Sequence, residues 1–249
     1  MQIPYQPEIF GITLKIHLIL EYLAFFLAFR YYVILRRKSK DHISSGNRLS
    51  IILGAALGAL IGSRLIGVLE NPLVHISEVN IIQLLNTKTI MGGLFGGLLG
   101  VELSKNIIGE TSSSGDLFVF PILLGIFIGR IGCFLSGTNE FTYGNVTDSK
   151  FAMDLGDGLS RHPTSLYELV FLVLLFVGLQ WLRKRANLKN GALFKVFMIL
   201  YFGFRFGIEF IKPNVFYILG LSTIQLLCVI CWLYYSKTIA KFLLGRQLR

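Results

Sequence analysis

Charge is scarce in this chain. Of its 249 residues only 15% are Asp, Glu, Lys or Arg, and the 14 acidic side chains are outnumbered by 24 basic ones. So few charges beside so much apolar residue exclude a disordered chain and do not suit a water-soluble domain. Cysteine is scarcer still. Three cysteines exclude a disulfide framework, and the Cys228-x-x-Cys231 pair lies in an apolar run with no partner ligands for zinc, so both read as small buried side chains. The alternating ten-residue segments of a membrane barrel are absent, as are tandem repeats and a second soluble domain.

What the chain has in excess is hydrophobic sequence, 53% of residues with a mean hydropathy of 0.65. A bilayer core about 30 Å thick takes roughly 20 residues of helix, and backbone polar groups inside it must pair internally. Runs of that kind cover Phe10–Leu35, Leu49–Leu69, Thr89–Leu103, Leu117–Leu135, Ser165–Leu182, Ala192–Ile211 and Val215–Tyr235. They predict an all-α, polytopic membrane protein with seven transmembrane helices forming one domain over residues 1–249. The first run is read as a retained span, since Met1–Glu8 lacks the basic start of a signal peptide.

The net charge of +10 fits this topology. Clusters such as Arg36-Arg37-Lys38 and Arg183-Lys184-Arg185, with Lys237 and Lys241, fall on one side of the spans. The other side keeps only Lys15, Lys88, Lys150, Arg161 and Lys212. By the positive-inside rule the N-terminus is outside and the C-terminus cytoplasmic, and the basic excess is used up without nucleic acid as a partner. The longest outer loop, Ser136–Pro163, is rich in Gly, Asn and Asp and reads as a structured, functional segment.

Ionisable residues within the spans each require a partner or a wet cavity: Glu21, Arg30, Arg64, Arg130, Glu168, Arg205 and Glu209. Arg30 and Lys195, near helix ends, reach back to the interface. Arg205 and Glu209, four apart, share a helix face and permit an ion pair. Arg64, Arg130 and Arg205 come from three spans, and guanidinium groups suit a phosphate, which in a membrane is a phospholipid headgroup. Glycine adds a second pattern. Gly54, Gly58 and Gly62 form a small-xxx-small seam, and the run from Gly92 to Gly100 is denser than an isolated helix tolerates, so its backbone approaches either a ligand or another helix.

Several motifs occur in order: Gly62-Ser63-Arg64-Leu65-Ile66-Gly67, the glycine run from Gly92, Gly129-Arg130-Ile131-Gly132-Cys133-Phe134-Leu135-Ser136-Gly137, Arg161-His162-Pro163-Thr164-Ser165-Leu166-Tyr167-Glu168, and Tyr201-Phe202-Gly203-Phe204-Arg205 through Glu209. Together, from about His17 to Pro213, they resemble the prolipoprotein diacylglyceryl transferase family. The resemblance implies a bacterial inner-membrane enzyme without metal or other cofactor. It would move the diacylglyceryl group of an anionic phospholipid, phosphatidylglycerol, to the lipobox cysteine of a preprolipoprotein and release glycerol phosphate. It implies Arg130 and Arg205 near the lipid phosphate and Arg64 and Glu209 at positions kept polar. The expected catalytic set is Arg130, Arg205, Glu209 and His162, and the expected substrate-binding set is Arg64, Gly92, Gly93, Gly132, Tyr167, Glu168 and Tyr201.

The chain departs from the family pattern at four places. Met91 stands where typical members have a histidine, Cys133 where they have an asparagine, and Thr138 where they have a glutamate. His17 is followed by Leu18-Ile19-Leu20 in place of an aromatic residue and a glycine. Alkylating a thiol requires removal of its proton, which Met91 cannot accept, so the base is to be sought among His162, Glu168, Glu209 and Glu140. Two other readings stand beside the transferase: an inactive lipid-binding or transport paralogue of the same fold, and a small-anion transporter.

Overall fold

The computed structural model describes residues 3–9, 11–39, 41–70, 87–186, 188–214, 216 and 219–244. The chain is mostly helical, with two small hairpins as its only sheet structure among the described residues. It divides into two compact units. The first comprises Met1–Ser39, Gly115–Leu188 and Phe210–Pro213, the second Lys40–Ser114, Lys189–Glu209 and Asn214–Arg249.

The first unit opens with strands β1 (Glu8–Ile9) and β2 (Ile12–Thr13), paired antiparallel with Glu8 opposite Thr13 and turned at Gly11, whose φ is +76°. Helix α1 therefore begins at Ile16, later than the Phe10 boundary expected from hydropathy, and runs to Lys38; Phe10 itself lies outside the described residues. Apolarity alone cannot separate a hairpin from the helix it leads into. A 3-10 turn, Asp116–Phe118, leads into α4 (Val119–Ser136), and α5 covers Thr164–Arg185. Helix α4 has the largest buried set, from Val119 to Ser136, while α1 buries only Ala24 and Tyr32. Tyr22, Phe25, Phe26 and Phe29 of α1 and Val170, Leu174, Val177 and Trp181 of α5 stay exposed. Faces this apolar and this bare are suited to hydrocarbon.

Between α4 and α5 the chain is ordered by hydrogen bonds. Strands β3 (Met153–Asp154) and β4 (Ser160–Arg161) pair antiparallel, and Asp154 Oδ1 accepts from the backbone N–H of Gly156 at 2.8 Å and of Gly158 at 3.0 Å. Arg161 Nε donates to Asp157 Oδ2 at 2.7 Å, and its guanidinium lies over the Tyr143 ring. Desolvation works to raise the Asp157 carboxyl, but the bond from Arg161, with the Leu159 N–H, holds it below its ordinary value.

The second unit contains α2 (Ser45–Glu70), α3 (Ile90–Ile108), α6 (Ala192–Ile208), α7 (Thr223–Tyr234) and α8 (Ser236–Leu243). The glycine seam decides how α2 meets α3. A Cβ on Gly58 would strike the Gly96 carbonyl, one on Gly62 the Gly92 carbonyl, and one on Gly100 the Gly54 carbonyl. The two glycine patterns are thus each other's partners, with the backbones in near contact. Helix α7 starts later than the Val215 boundary expected from hydropathy. Val215 lies outside the described residues, Leu219 and Gly220 adopt positive φ, and a Ser222/Gln225 capping box fixes the helix start. Among the described residues four helical stretches are long and apolar enough to cross a membrane: Ile16–Lys38, Ser45–Glu70, Asp116–Asn139 and Thr164–Arg185.

Candidate functional site

The first unit holds Arg130, Gly132, His162, Tyr167 and Glu168, the second Arg64, Gly92, Gly93, Tyr201, Arg205 and Glu209. Arg130 projects from α4 to Glu168 on α5, Nε to Oε1 at 2.9 Å, with side chains only 7% and 1% exposed. Two opposite charges buried together leave one nearly neutral dipole, which is how a bilayer tolerates them. A terminal nitrogen has its own neighbour: Arg130 Nη1 lies 3.8 Å from Cys133 Sγ, one turn along. Gly132 lies against α1, where a Cβ would come 3.1 Å from His17 Nδ1 and 3.4 Å from Leu20 Cβ. A larger residue there would push α1 away from α4.

His162 follows β4, and its Nδ1 is 3.1 Å from the Tyr167 hydroxyl. Its backbone is fixed on both sides: the N–H donates to Asn145 O at 3.1 Å, and the carbonyl accepts from Gly144 N at 2.9 Å. Thr164 and Ser165 hydroxyls both donate to Thr142 O, closing the loop onto the start of α5. His162 is thereby presented at a helix start by a rigid loop, within reach of one phenol.

In the second unit Arg205 Nη2 meets Glu209 Oε1 at 2.7 Å, the pairing expected from the i,i+4 spacing. The spacing did not reveal the rest. Glu209 Oε2 also accepts from Asn214 Nδ2 and, at 3.5 Å, from the Ser222 hydroxyl, and Glu209 is fully buried. Both carboxylate oxygens are occupied, so Glu209 acts as an anchor that sets the Arg205 guanidinium. Arg64 Nη1 donates to the Thr87 carbonyl at 2.9 Å, just before α3. Gly92 belongs to the α2–α3 seam, whereas Gly93 has room for a methyl group. Tyr201 is fully buried and stacks on Phe197, ring centroids 5.8 Å apart.

Residues 4–239 match the family model described as prolipoprotein diacylglyceryl transferase. The chain belongs to the prolipoprotein diacylglyceryl transferase family. Among its relatives, a phosphatidylglycerol–prolipoprotein diacylglyceryl transferase of Finegoldia magna is 29% identical over 246 residues, covering 94% of this chain and 96% of the relative. Proteins of the same name from Rickettsia felis, 34% identical over 72% of this chain and 71% of the relative, and from Ehrlichia canis, 31% identical over 74% and 70%, are also similar.

In this member of the family Met91 is buried at the start of α3 and offers no proton acceptor. Sequence reasoning missed two features. Arg48, in the first turn of α2, is a buried clamp whose Nε bonds Asp41 Oδ2 at 3.0 Å and whose Nη1 bonds the Ser114 carbonyl at 3.2 Å. His17, weighed only for the residues after it, faces both Cys133 and Glu140, its Nε2 lying 3.8 Å from Glu140 Oε1. Neither was legible in one dimension, because Ser114, Cys133 and Glu140 lie on distant segments and Asp41 precedes the helix that carries Arg48.

Proposed function

We propose that this chain is a phosphatidylglycerol–prolipoprotein diacylglyceryl transferase of the bacterial inner membrane. Residues 1–249 form one membrane domain with seven spans, the N-terminus outside, the C-terminus cytoplasmic, and 136–163 as a structured outer loop. The family match over residues 4–239 carries this reading, and the exposed apolar faces support the setting. In the reaction the acceptor thiol sulfur attacks the diacylglyceryl carbon bonded to phosphate. The C–S bond forms, the C–O bond breaks, and glycerol phosphate leaves.

Arg130 is assigned to the departing phosphate. Its guanidinium stays charged, Glu168 fixes its direction, and its burial keeps water from screening it. Arg205, set by Glu209, is assigned to the same transfer step. Of the four candidate bases, Glu168 and Glu209 are committed to arginines. His162, oriented by Tyr167, is assigned to the acceptor thiol. Arg64, Gly92, Gly93, Gly132, Tyr167 and Tyr201 are assigned to shaping and lining the lipid site.

The test is transfer from liposomes of phosphatidylglycerol to a lipobox peptide, read by peptide mass and by released glycerol phosphate. The wild-type chain is expected to give both products, Arg130→Ala and Arg205→Ala neither. Failure of transfer to every lipobox peptide, with no anionic phospholipid bound, would sink the reading. Lipid that co-purifies without any product on long incubation would instead favour the lipid-binding alternative, which Met91 and Cys133 motivate.

A further inference from the structure

We propose that the elbow between α7 and α8 is a further lipid-binding site. It takes an anionic phospholipid whose acyl chain lies in an apolar groove and whose phosphate meets Lys237 and Lys241. None of the residues assigned above to transfer belongs to it. Helix α7 closes at Tyr235, whose N–H donates to Cys231 O at 3.0 Å. Helix α8 begins at once, the Tyr235 carbonyl accepting from Thr238 N at 2.8 Å and from Ile239 N at 3.0 Å.

Along one face of this interruption runs a groove of about 340 Å³, lined by Val229, Trp232 and Leu233 of α7 and by Ser236, Ile239 and Ala240 of α8. Steps of three and four residues along both helices put these side chains on one stripe. Five of the six are apolar and none is charged, so a hydrocarbon chain gains by replacing water there. The volume is that of small-molecule sites, which begin at roughly 300 Å³.

Position and charge select the lipid. Trp232, Tyr234 and Tyr235 crowd the end of α7: the Trp232 indole N–H donates to Ile199 O at 3.3 Å, and the two tyrosine rings meet edge to face with centroids 4.8 Å apart. Amphipathic rings at the end of an apolar helix mark the level of lipid headgroups. Helix α8 starts at that level. Its Lys237 and Lys241, exposed and four residues apart, stand together on one flank of the apolar stripe. A helix with an apolar face and a cationic flank lies in the plane of the membrane surface. No Asp or Glu follows Glu209 in the sequence, while Arg246 and Arg249 follow α8, so this end of the chain carries charge of one sign. Such a segment favours an anionic headgroup over a zwitterionic one, which brings its own cation to the lysines.

The experiment uses the full chain carrying Trp181→Phe, which leaves Trp232 as its sole tryptophan. It is reconstituted in phosphatidylcholine bilayers containing a minor fraction of lipid brominated on its acyl chains, either phosphatidylglycerol or phosphatidylcholine. Bromine quenches indole fluorescence at contact. Brominated phosphatidylglycerol is expected to quench Trp232 with an apparent affinity at least about fivefold above that of brominated phosphatidylcholine, as a lysine pair near an anionic lipid supplies. The double variant Lys237→Gln/Lys241→Gln, changed only at exposed positions, and high salt are each expected to abolish that preference while quenching by phosphatidylcholine persists. Ser236→Phe, which fills the groove beside Trp232, is expected to lower quenching by both lipids. Equal quenching by the two lipids, a preference that survives the double lysine variant, or quenching undiminished in Ser236→Phe would overturn the inference. So would the absence of quenching by either lipid, the result expected if a second copy of the chain covers the groove. Peptide transfer plays no part in this readout, so its failure and a failure of the transfer proposed above are told apart.

Discussion

Removing one member of the Arg130–Glu168 pair is expected to cost more than removing both. The two side chains are 7% and 1% exposed and 2.9 Å apart, so Glu168→Leu leaves an arginine cation in a site shaped for an ion pair. Losing one partner of a buried pair costs about 3–5 kcal/mol, while replacing both by apolar residues of like volume is often near neutral. We expect Glu168→Leu and Arg130→Met each to lose about 3–5 kcal/mol of unfolding free energy. The double variant should lose no more than about 2 kcal/mol, giving a coupling energy of several kcal/mol. The assay is chemical unfolding in mild detergent followed by helical circular dichroism, run as a double-mutant cycle. The geometry sharpens the expectation, since Arg130 also faces Cys133 Sγ at 3.8 Å and that contact goes with Arg130 alone. Losses that simply add, or single-variant losses below about 1 kcal/mol as for an exposed pair, would refute the buried-clamp reasoning. Transfer activity should separate from stability here: the stable double variant is expected to be inactive, because the phosphate has lost its guanidinium.

The seam glycines give a paired prediction: Gly96→Ala, whose Cβ would strike the Gly58 carbonyl, should destabilise by about 1–3 kcal/mol, whereas Gly93→Ala, with its nearest neighbour at 3.7 Å, should be neutral or slightly stabilising in thermal unfolding. Ser222→Ala removes both the α7 cap and a Glu209 partner, and should cost about 0.5–2 kcal/mol in the same assay. Glu110, just beyond α3, is lowered from an ordinary 4.5 to about 2, first by the Ser112 backbone N–H, then by its hydroxyl and by Asn47. Its contribution is therefore complete above pH 4.5 and lost as pH falls toward 2, so Glu110→Gln should flatten the acid limb of the stability curve; an unchanged limb would contradict this.

The helices were largely legible from hydropathy because burying or lipid-exposing a helix requires a continuous apolar run, and that is a local property; four of them are long and apolar enough to cross a membrane among the described residues. Expected and observed bounds agree closely for the second, fourth, fifth and sixth runs, as in Ala192–Ile211 against a helix ending at Ile208 and a 3-10 turn to Ile211. The third helix outlasts its Leu103 boundary and stops at Gly109, φ +68°, because Glu102 and Lys105 continue the helix at its polar end. The hairpin before α1 and the delayed start of α7 were hidden, since strand pairing and capping geometry override apolarity over a few residues.

Chemistry divided along the same line. Composition, the arginines within spans and the ordered motifs settled the family and singled out Arg130, Glu168, Arg205 and Glu209. The i,i+4 spacing alone supplied the Arg205–Glu209 pair, because both ends sit on neighbouring turns. What only the folded chain decided is every partnership between distant segments: Glu168 for Arg130, Asn214 and Ser222 for Glu209, the α2 glycines for the α3 glycines, and His17 with Glu140 around Cys133. A sequence determines which groups must find partners, since an unpaired charge in hydrocarbon is too costly to keep. Which partner each one finds depends on helix packing to within an ångström, and that is a property of the whole fold.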